Sequence, residues 1–320
     1  MTQTPRRSSS LVHVAVDGGA LAVGVWEAVG PQVVLAVHGI TANHRSFGLI
    51  AERLPGVRIV APDLRGRGRS NGLPGPFGLS RHVDDMIAVL DAQGIERVSV
   101  IAHSMGAFVA VLLAAKHPAR VSQLILVDGG IPLALPAGFS AETVNSSVLG
   151  PAADRLAMTF RDRLAYREFW REHPSFGPYW NSAIEDYVDY DLEGTPPGLR
   201  PASKRAAIEV DVTQLYGGAE YAAALASIRC PVVVLRAPRG LLDEPGGLYP
   251  DRAAIAAEFT HAAVRDVDDT NHYTVLLGHQ GADAIAAAFF AAGPTVQLSE
   301  VNAASVTHAG RSPARQGGHT

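Results

Sequence analysis

Short runs of Val, Ile, Leu and Ala, each closed by Gly, Asp or His, alternate along the chain with Ala-rich stretches of helical period. That alternation predicts βαβ units built around a mostly parallel sheet. Val12–Val16 and Leu21–Trp26 alternate as half-buried strands do and flank Asp17-Gly18-Gly19, which predicts an opening hairpin. Strands covered by helices on both faces read as nearly continuous apolar runs. Such runs occur at Val33–Val37, Arg58–Ala61, Val98–Ala102, Gln123–Val127, Val232–Leu235 and Ala263–Val267. Helical patterns fall between them at Arg45–Leu54, Ser80–Ala92, Gly106–His117, Glu220–Ile228, Asp251–Phe259 and Gly281–Ala291, and no repeat of fixed period is visible.

One interval breaks the rhythm. From Ile131 to about Ile228 no convincing buried strand occurs, yet the interval carries 12 of the 21 aromatic residues. Phe160, Tyr166, Phe169, Trp170, Phe176, Tyr179, Trp180, Tyr187 and Tyr190 are among them. An insertion of this length inside a sheet protein reads as a functional lid or cap. Its aromatics either line a pocket or form the core of a helical subdomain.

Chemistry concentrates where strands end. In VSVIAHSMGAFVAVLLAA an apolar strand runs through Ala102-His103-Ser104-Met105-Gly106 directly into a helix, the small-x-Ser-x-Gly pattern of a nucleophile elbow. A serine on so sharp a turn holds its Oγ above the sheet edge, and the Met105 N–H lies at a helix N-terminus where it can meet a developing oxyanion. An ordinary turn and helix cap would use the same residues. Upstream, QVVLAVHGITANHRSF carries a strand into His38-Gly39-Ile40, offering the Ile40 N–H as a second oxyanion donor and His38 as a structural ring. VRIVAPDLRGRGRS, with Asp63, Arg65, Gly66 and Gly68, lacks the Gly-Lys-Ser/Thr ending of a phosphate loop and reads as structural.

Taken in order and at these spacings, HGIT, APDLRGRGRS, AHSMG, LVDGG and TNHY resemble the α/β-hydrolase superfamily, over about residues 11 to 293. The resemblance implies an eight-stranded, mostly parallel sheet flanked by helices, a helical cap inserted after the sixth strand, and a triad in the order Ser, acid, His. His272, in a polar loop after the last strand, is the expected general base, since imidazole titrates near neutrality. His261 precedes that strand and His279 opens the last helix, so both read as surface residues. The acid has two candidate regions. Most relatives carry it just beyond the seventh strand, where PVVVLRAPRGLLDEPGG offers Asp243, and next to it Glu244, only if the loop is rearranged. Other branches, the haloalkane dehalogenases among them, carry it directly after the sixth strand, where LILVDGGIP places Asp128. A carboxylate fixed at a strand end is held more rigidly than one in a Gly/Pro loop, so Asp128 is the expected acid and Asp243 the alternative. Dehalogenase and epoxide hydrolase chemistry are disfavoured, because those branches have Asp where this chain has Ser104.

Composition adds limits. The chain has 320 residues, is 47% hydrophobic and 18% charged, and has a formal net charge of -4. With scattered Lys and Arg this gives no footprint for nucleic acid. Its single cysteine, Cys230, reads as a small hydrophobe. No apolar stretch reaches membrane-spanning length and MTQTPRRSSS does not resemble a signal peptide, so cytoplasmic residence is the expectation. Expected boundaries are a flexible tail at 1–10, a core of 11–130 and 229–293, a cap of 131–228, and a Gly/Ser/Ala-rich disordered tail at 294–320. The expected activity is cofactor-free and metal-free hydrolysis of an ester, lactone or related acyl bond in a small apolar substrate. C–C bond hydrolysis, acyl transfer, perhydrolase chemistry and a non-catalytic ligand receptor are the rivals, and oligomeric state is left open.

Overall fold

The computed structural model describes residues 7–134 and 154–291. The expected disordered tail at 294–320 lies outside them, as do residues 1–6 and 135–153. The Arg7 guanidinium donates to the carbonyls of Ala51 and Leu54, each at 2.7 Å.

The strands β1 (Ser10–Val16), β2 (Gly19–Trp26), β3 (Val33–Val37), β4 (Arg58–Pro62), β5 (Val98–His103) and β6 (Val121–Val127) match the apolar runs to within two residues. Between and beside them run α1 (Gly48–Arg53), α2 (Leu79–Ala92) and α3 (Met105–Lys116). The segment between β6 and the next sheet strand holds α4 (Arg163–Arg171), α5 (Ser182–Tyr190), a ribbon of β7 (Leu192–Glu193) and β8 (Arg200–Pro201), α6 (Arg205–Thr213) and α7 (Ala219–Ser227). The sheet resumes with β9 (Val232–Arg236), followed by α8 (Arg252–Glu258), β10 (Ala263–Asp266), α9 (Thr274–Leu277) and α10 (His279–Ala291).

Eight strands form one sheet in the order β1-β2-β4-β3-β5-β6-β9-β10. All pairs from β4 to β10 are parallel, and β2 runs antiparallel to both its neighbours. Successive residues of a strand face opposite sides, and the cores divide accordingly. Leu35, Val100, Leu124 and Val234 pack with α2, α3 and α7 on one face, while Ala36, Ile101, Ile125 and Leu235 pack with α1, α9 and α10 on the other. Helix α3 is apolar on every side and buried almost throughout, as a helix wedged between sheet and neighbours must be.

The aromatics of the insertion settle into a core of their own. Phe160, Tyr166, Trp170, Phe176 and Tyr187 cluster with Ile184 and Val188, and Phe169, Tyr179 and Trp180 pack against them. Tyr190 alone of the aromatics singled out above stands apart, its hydroxyl donating to Asp63 Oδ2 at 2.7 Å. That bond joins the insertion to the Asp63–Ser70 loop. Asn181 Nδ2 makes a second tie, to the Leu277 carbonyl at 3.0 Å. Within the loop, Arg65 forms a buried two-point pair with Asp85 at 2.8 and 2.9 Å, which accounts for the arginine without any phosphate.

Candidate active site

In parallel sheets of this kind, ligand sites form beyond the carboxyl ends of the strands. Here β3, β5, β6 and β9 end side by side. The Ser104 N–H donates to the Val127 carbonyl at 3.0 Å and the Asp128 N–H to the Leu235 carbonyl at 2.7 Å, so these two residues leave their strands as neighbours.

Ser104 has φ 53 and ψ −124, outside the regions open to L-residues at low cost. Gly106 shows what the elbow demands. A Cβ there would stand 2.2 Å from the Val37 carbonyl oxygen and 2.6 Å from that of His38. The small residue is therefore required by the end of β3 as well as by the turn. On the other flank Ala102 is fully buried in the sheet core.

The three expected polar groups meet. His272 Nε2 lies 3.1 Å from Ser104 Oγ, and its Nδ1 lies 2.7 Å from Asp128 Oδ2. A carboxylate accepts, so Nδ1 carries the proton and Nε2 presents its lone pair to the serine hydroxyl. The second oxygen of Asp128 accepts from the Ala237 N–H at 3.0 Å, and the residue is fully buried. Asp243, the alternative acid, is committed elsewhere. It accepts from Arg239 Nε at 2.8 Å, from Asn271 Nδ2 at 2.9 Å and from the Tyr179 hydroxyl at 2.9 Å. Its carboxyl is held low: burial opposes ionisation, but the bonds from Asn271, Tyr179 and Arg239 outweigh it. Glu244 accepts from the Leu242 N–H at 2.7 Å within its own loop. Asp243 thus stabilises the loop that carries Asn271, and Asn271 Oδ1 in turn caps the Tyr273 and Thr274 N–H groups beside His272.

The expected oxyanion donors flank Ser104. The N–H groups of Ile40 and Met105 have no acceptor among the described residues, and Gly39 lets the β3 end approach so closely that a Cβ there would lie 3.1 Å from Ser104 Cβ. His38 is structural, as expected. Its Nε2 accepts from the Leu64 N–H at 2.9 Å, which leaves Nδ1–H to donate to the Gly39 carbonyl at 2.8 Å.

His103, which the sequence offered only as part of the elbow, also lines the cleft, and its Nε2–H donates to the His272 carbonyl at 2.8 Å. His261 and His279 stand outside this arrangement. The cleft encloses a free volume of about 70 Å³. Ser104 and His272 reach it among Ile40, Leu133, Leu215, Leu241, Leu248 and Leu276, with Tyr187 and Tyr273 alongside. Tyr187 is the one member of the insertion's aromatic set that lines this cleft among the described residues, and Leu is the residue type that recurs most often in the lining.

Buried histidines give the fold a pH signature. Burial is the main force pulling His38 down to about 4 and His103 well below its ordinary value, and burial followed by the Arg155 charge takes His173 to about 4. The unfolded chain protonates such rings below about pH 6.5. It therefore binds more protons than the folded protein between about 6.5 and 4, and stability falls as pH drops through that window, by up to about 1.4 kcal/mol per pH unit for each ring. Asp63 acts only lower down: burial pushes its carboxyl up, but the charge and hydrogen bonds of His44 hold it near 2. Urea unfolding at pH 7, 6 and 5 should show a steadily falling midpoint, and a flat profile would contradict the buried neutral rings.

A protein-family model described as the alpha/beta hydrolase fold matches residues 32–278. The chain belongs to this family. It is similar to Lipase LipV of Mycobacterium tuberculosis, 41% identical over 104 residues, which are 32% of this chain and 40% of the lipase. It is 29% identical over 258 residues to the 3-hydroxybutyrate-oligomer hydrolase of Cupriavidus necator, covering 76% of this chain and 83% of that one. The match thus spans less than half of the lipase but most of the oligomer hydrolase. Among solved structures, E-2-(acetamidomethylene)succinate hydrolase superposes with a TM-score of 0.71 at 22% identity, over 87% of this chain and 97% of its own. The thioesterase domain from the curacin biosynthetic pathway gives 0.68 at 21% identity, over 89% and 99%. At such identities the likeness is one of fold. Family and fold together place the chain among the alpha/beta hydrolases, and the fold alone does not fix the substrate or the bond cleaved. Among the described residues no helix is long and apolar enough to cross a membrane.

Proposed function

We propose that this alpha/beta hydrolase is a serine hydrolase that cleaves an ester, lactone or related acyl bond in a small, uncharged, apolar substrate. The observation that carries the proposal is the continuous relay from Asp128 through His272 to Ser104 at the floor of the cleft. In the first half-reaction His272 Nε2 takes the hydroxyl proton as Ser104 Oγ bonds to the carbonyl carbon. The Ile40 and Met105 N–H groups receive the oxyanion, with the start of α3 behind it. Collapse of the tetrahedral intermediate expels the alcohol, which takes the proton from His272 and leaves an acyl-serine. Water, deprotonated by the same nitrogen, then releases the acid and restores the hydroxyl. Asp128 remains a carboxylate throughout, fixing the ring's tautomer and stabilising its protonated form.

The insertion after β6 acts as a cap in this account. Tyr187 and Leu215 bring it to the cleft, and its ties to Asp63 and Leu277 hold it over the strand ends. No charged side chain occurs among the described residues that line the cleft, so a substrate carboxylate would be desolvated there without a partner. The relatives named as a lipase and as an oligomer hydrolase accord with an acyl substrate. Steady-state assays on p-nitrophenyl butyrate and on its analogue with a terminal carboxylate test the reading. Sustained turnover is expected, with kcat/KM lower by at least about 10-fold for the charged acyl chain, the cost of a little over 1 kcal/mol of unpaired desolvation. Stoichiometric binding without turnover would identify a receptor.

A further inference from the structure

The Ile40 N–H acts only if its peptide is held still, because a donor to a developing oxyanion gains its value from being oriented before the reaction. A trans peptide points its C=O and N–H in opposite directions. His38 Nδ1–H at 2.8 Å and the Ala42 N–H at 3.2 Å both bind the Gly39 carbonyl, which turns the Ile40 N–H of the same peptide the other way. The next carbonyl, that of Ile40, accepts from Arg67 Nε at 2.8 Å. Both peptides flanking Ile40 are therefore anchored.

Arg67 is fully buried, an expensive place for a guanidinium unless it is paired. Its Nη1 lies 2.6 Å from Asp211 Oδ2 and donates to the Arg65 carbonyl at 2.9 Å. Asp211 sits on α6 of the insertion, where it also accepts from His82 Nε2 at 2.9 Å. A backbone bond of 2.7 Å from the Lys204 N–H to the Gly66 carbonyl ties the same two segments together. On the core side Arg67 reaches the oxyanion loop, and on the other side it reaches the insertion.

We infer that Arg67, held by Asp211, is a positioning residue that fixes the oxyanion-binding peptide at Ile40 and couples it to the helical insertion. This rests on the serine-hydrolase reading of the site. Arg67 touches no reacting atom. Its role is to keep the Ile40 N–H aimed while charge builds on the carbonyl oxygen, so its loss should act on the transition state more than on substrate binding.

Arg67→Lys keeps a cation for Asp211 but loses the planar Nε–H donor, whereas Arg67→Met combined with Asp211→Asn removes the pair without leaving a buried charge alone. Each would be assayed with p-nitrophenyl butyrate, with active sites counted by complete fluorophosphonate labelling and folding checked by thermal melting. In the folded variants kcat per labelled site should fall by about 10- to 100-fold, short of the 10²–10³ lost when an oxyanion donor is removed outright. KM should stay within about threefold, and affinity for a boronic acid mimic of the tetrahedral intermediate should fall in step with kcat. Unchanged kcat in either folded variant overturns the inference while leaving the reading of the site intact. A wild type that neither turns over ester nor labels at Ser104 overturns both.

Discussion

Asp128→Asn is expected to lower kcat for ester hydrolysis by about 10⁴-fold, with the protein still folded. In the wild type the carboxylate compels His272 to carry its proton on Nδ1. An asparagine at the same place can offer an N–H to Nδ1, which moves the ring proton to Nε2 and leaves Ser104 facing a donor instead of a base. The fold should tolerate the change, because the side-chain oxygen of Asn can still accept from the Ala237 N–H. Asp243→Asn should behave differently. Its partners are Arg239, Asn271 and Tyr179, so the variant should keep kcat within a few-fold and show its effect as a lower melting temperature. Parallel kinetics on the two variants check both statements, and the reverse ranking would make Asp243 the acid.

Ser104→Ala should remove activity almost completely, on the order of 10⁶ in kcat, the loss seen where nucleophile, base and acid act as one unit. Combining it with Asp128→Asn should cost little more, because once the nucleophile is gone the relay has nothing to serve. Ser104→Gly should be equally inactive yet more stable by about 1 kcal/mol, since glycine occupies the strained φ and ψ of the elbow without penalty. Single-turnover kinetics and thermal melts of the two Ser104 variants separate the chemical loss from the structural gain. An active Ser104→Ala enzyme would require a different nucleophile.

The sheet was legible because buried parallel strands leave long apolar signatures: Val33–Val37 is apolar throughout and was bounded to the residue. The ribbon of Leu192–Glu193 and Arg200–Pro201 was not, since two-residue strands carry no period. Ser104 and His272 could be found from local pattern, a strand turning into a helix and a polar loop after the last strand. Their acid could be narrowed only to two regions, with the strand-end Asp128 preferred to Asp243. Asp128 and Asp243 both follow strands, and what separates them is which carboxylate the folded sheet turns toward His272 Nδ1, a tertiary fact set by the alignment of β6 with β9. The cleft lining was unreadable for a similar reason. Leu133, Leu215, Leu248 and Leu276 come from separate elements and meet only after folding, whereas the conspicuous aromatics satisfy one another inside the insertion. Arg67 and Asp211, far apart in sequence, gave no sign of the ion pair that brings the insertion to the Ile40 loop.

Both half-reactions run through Ser104 Oγ, which a fluorophosphonate would trap. The folded protein would be treated with that reagent and its intact mass followed. The expected result is one adduct per chain, mapped by peptide sequencing to Ser104, absent in Ser104→Ala and much slower to form in His272→Ala. A folded protein that stays unmodified, or that carries its adduct on another residue, would contradict the account.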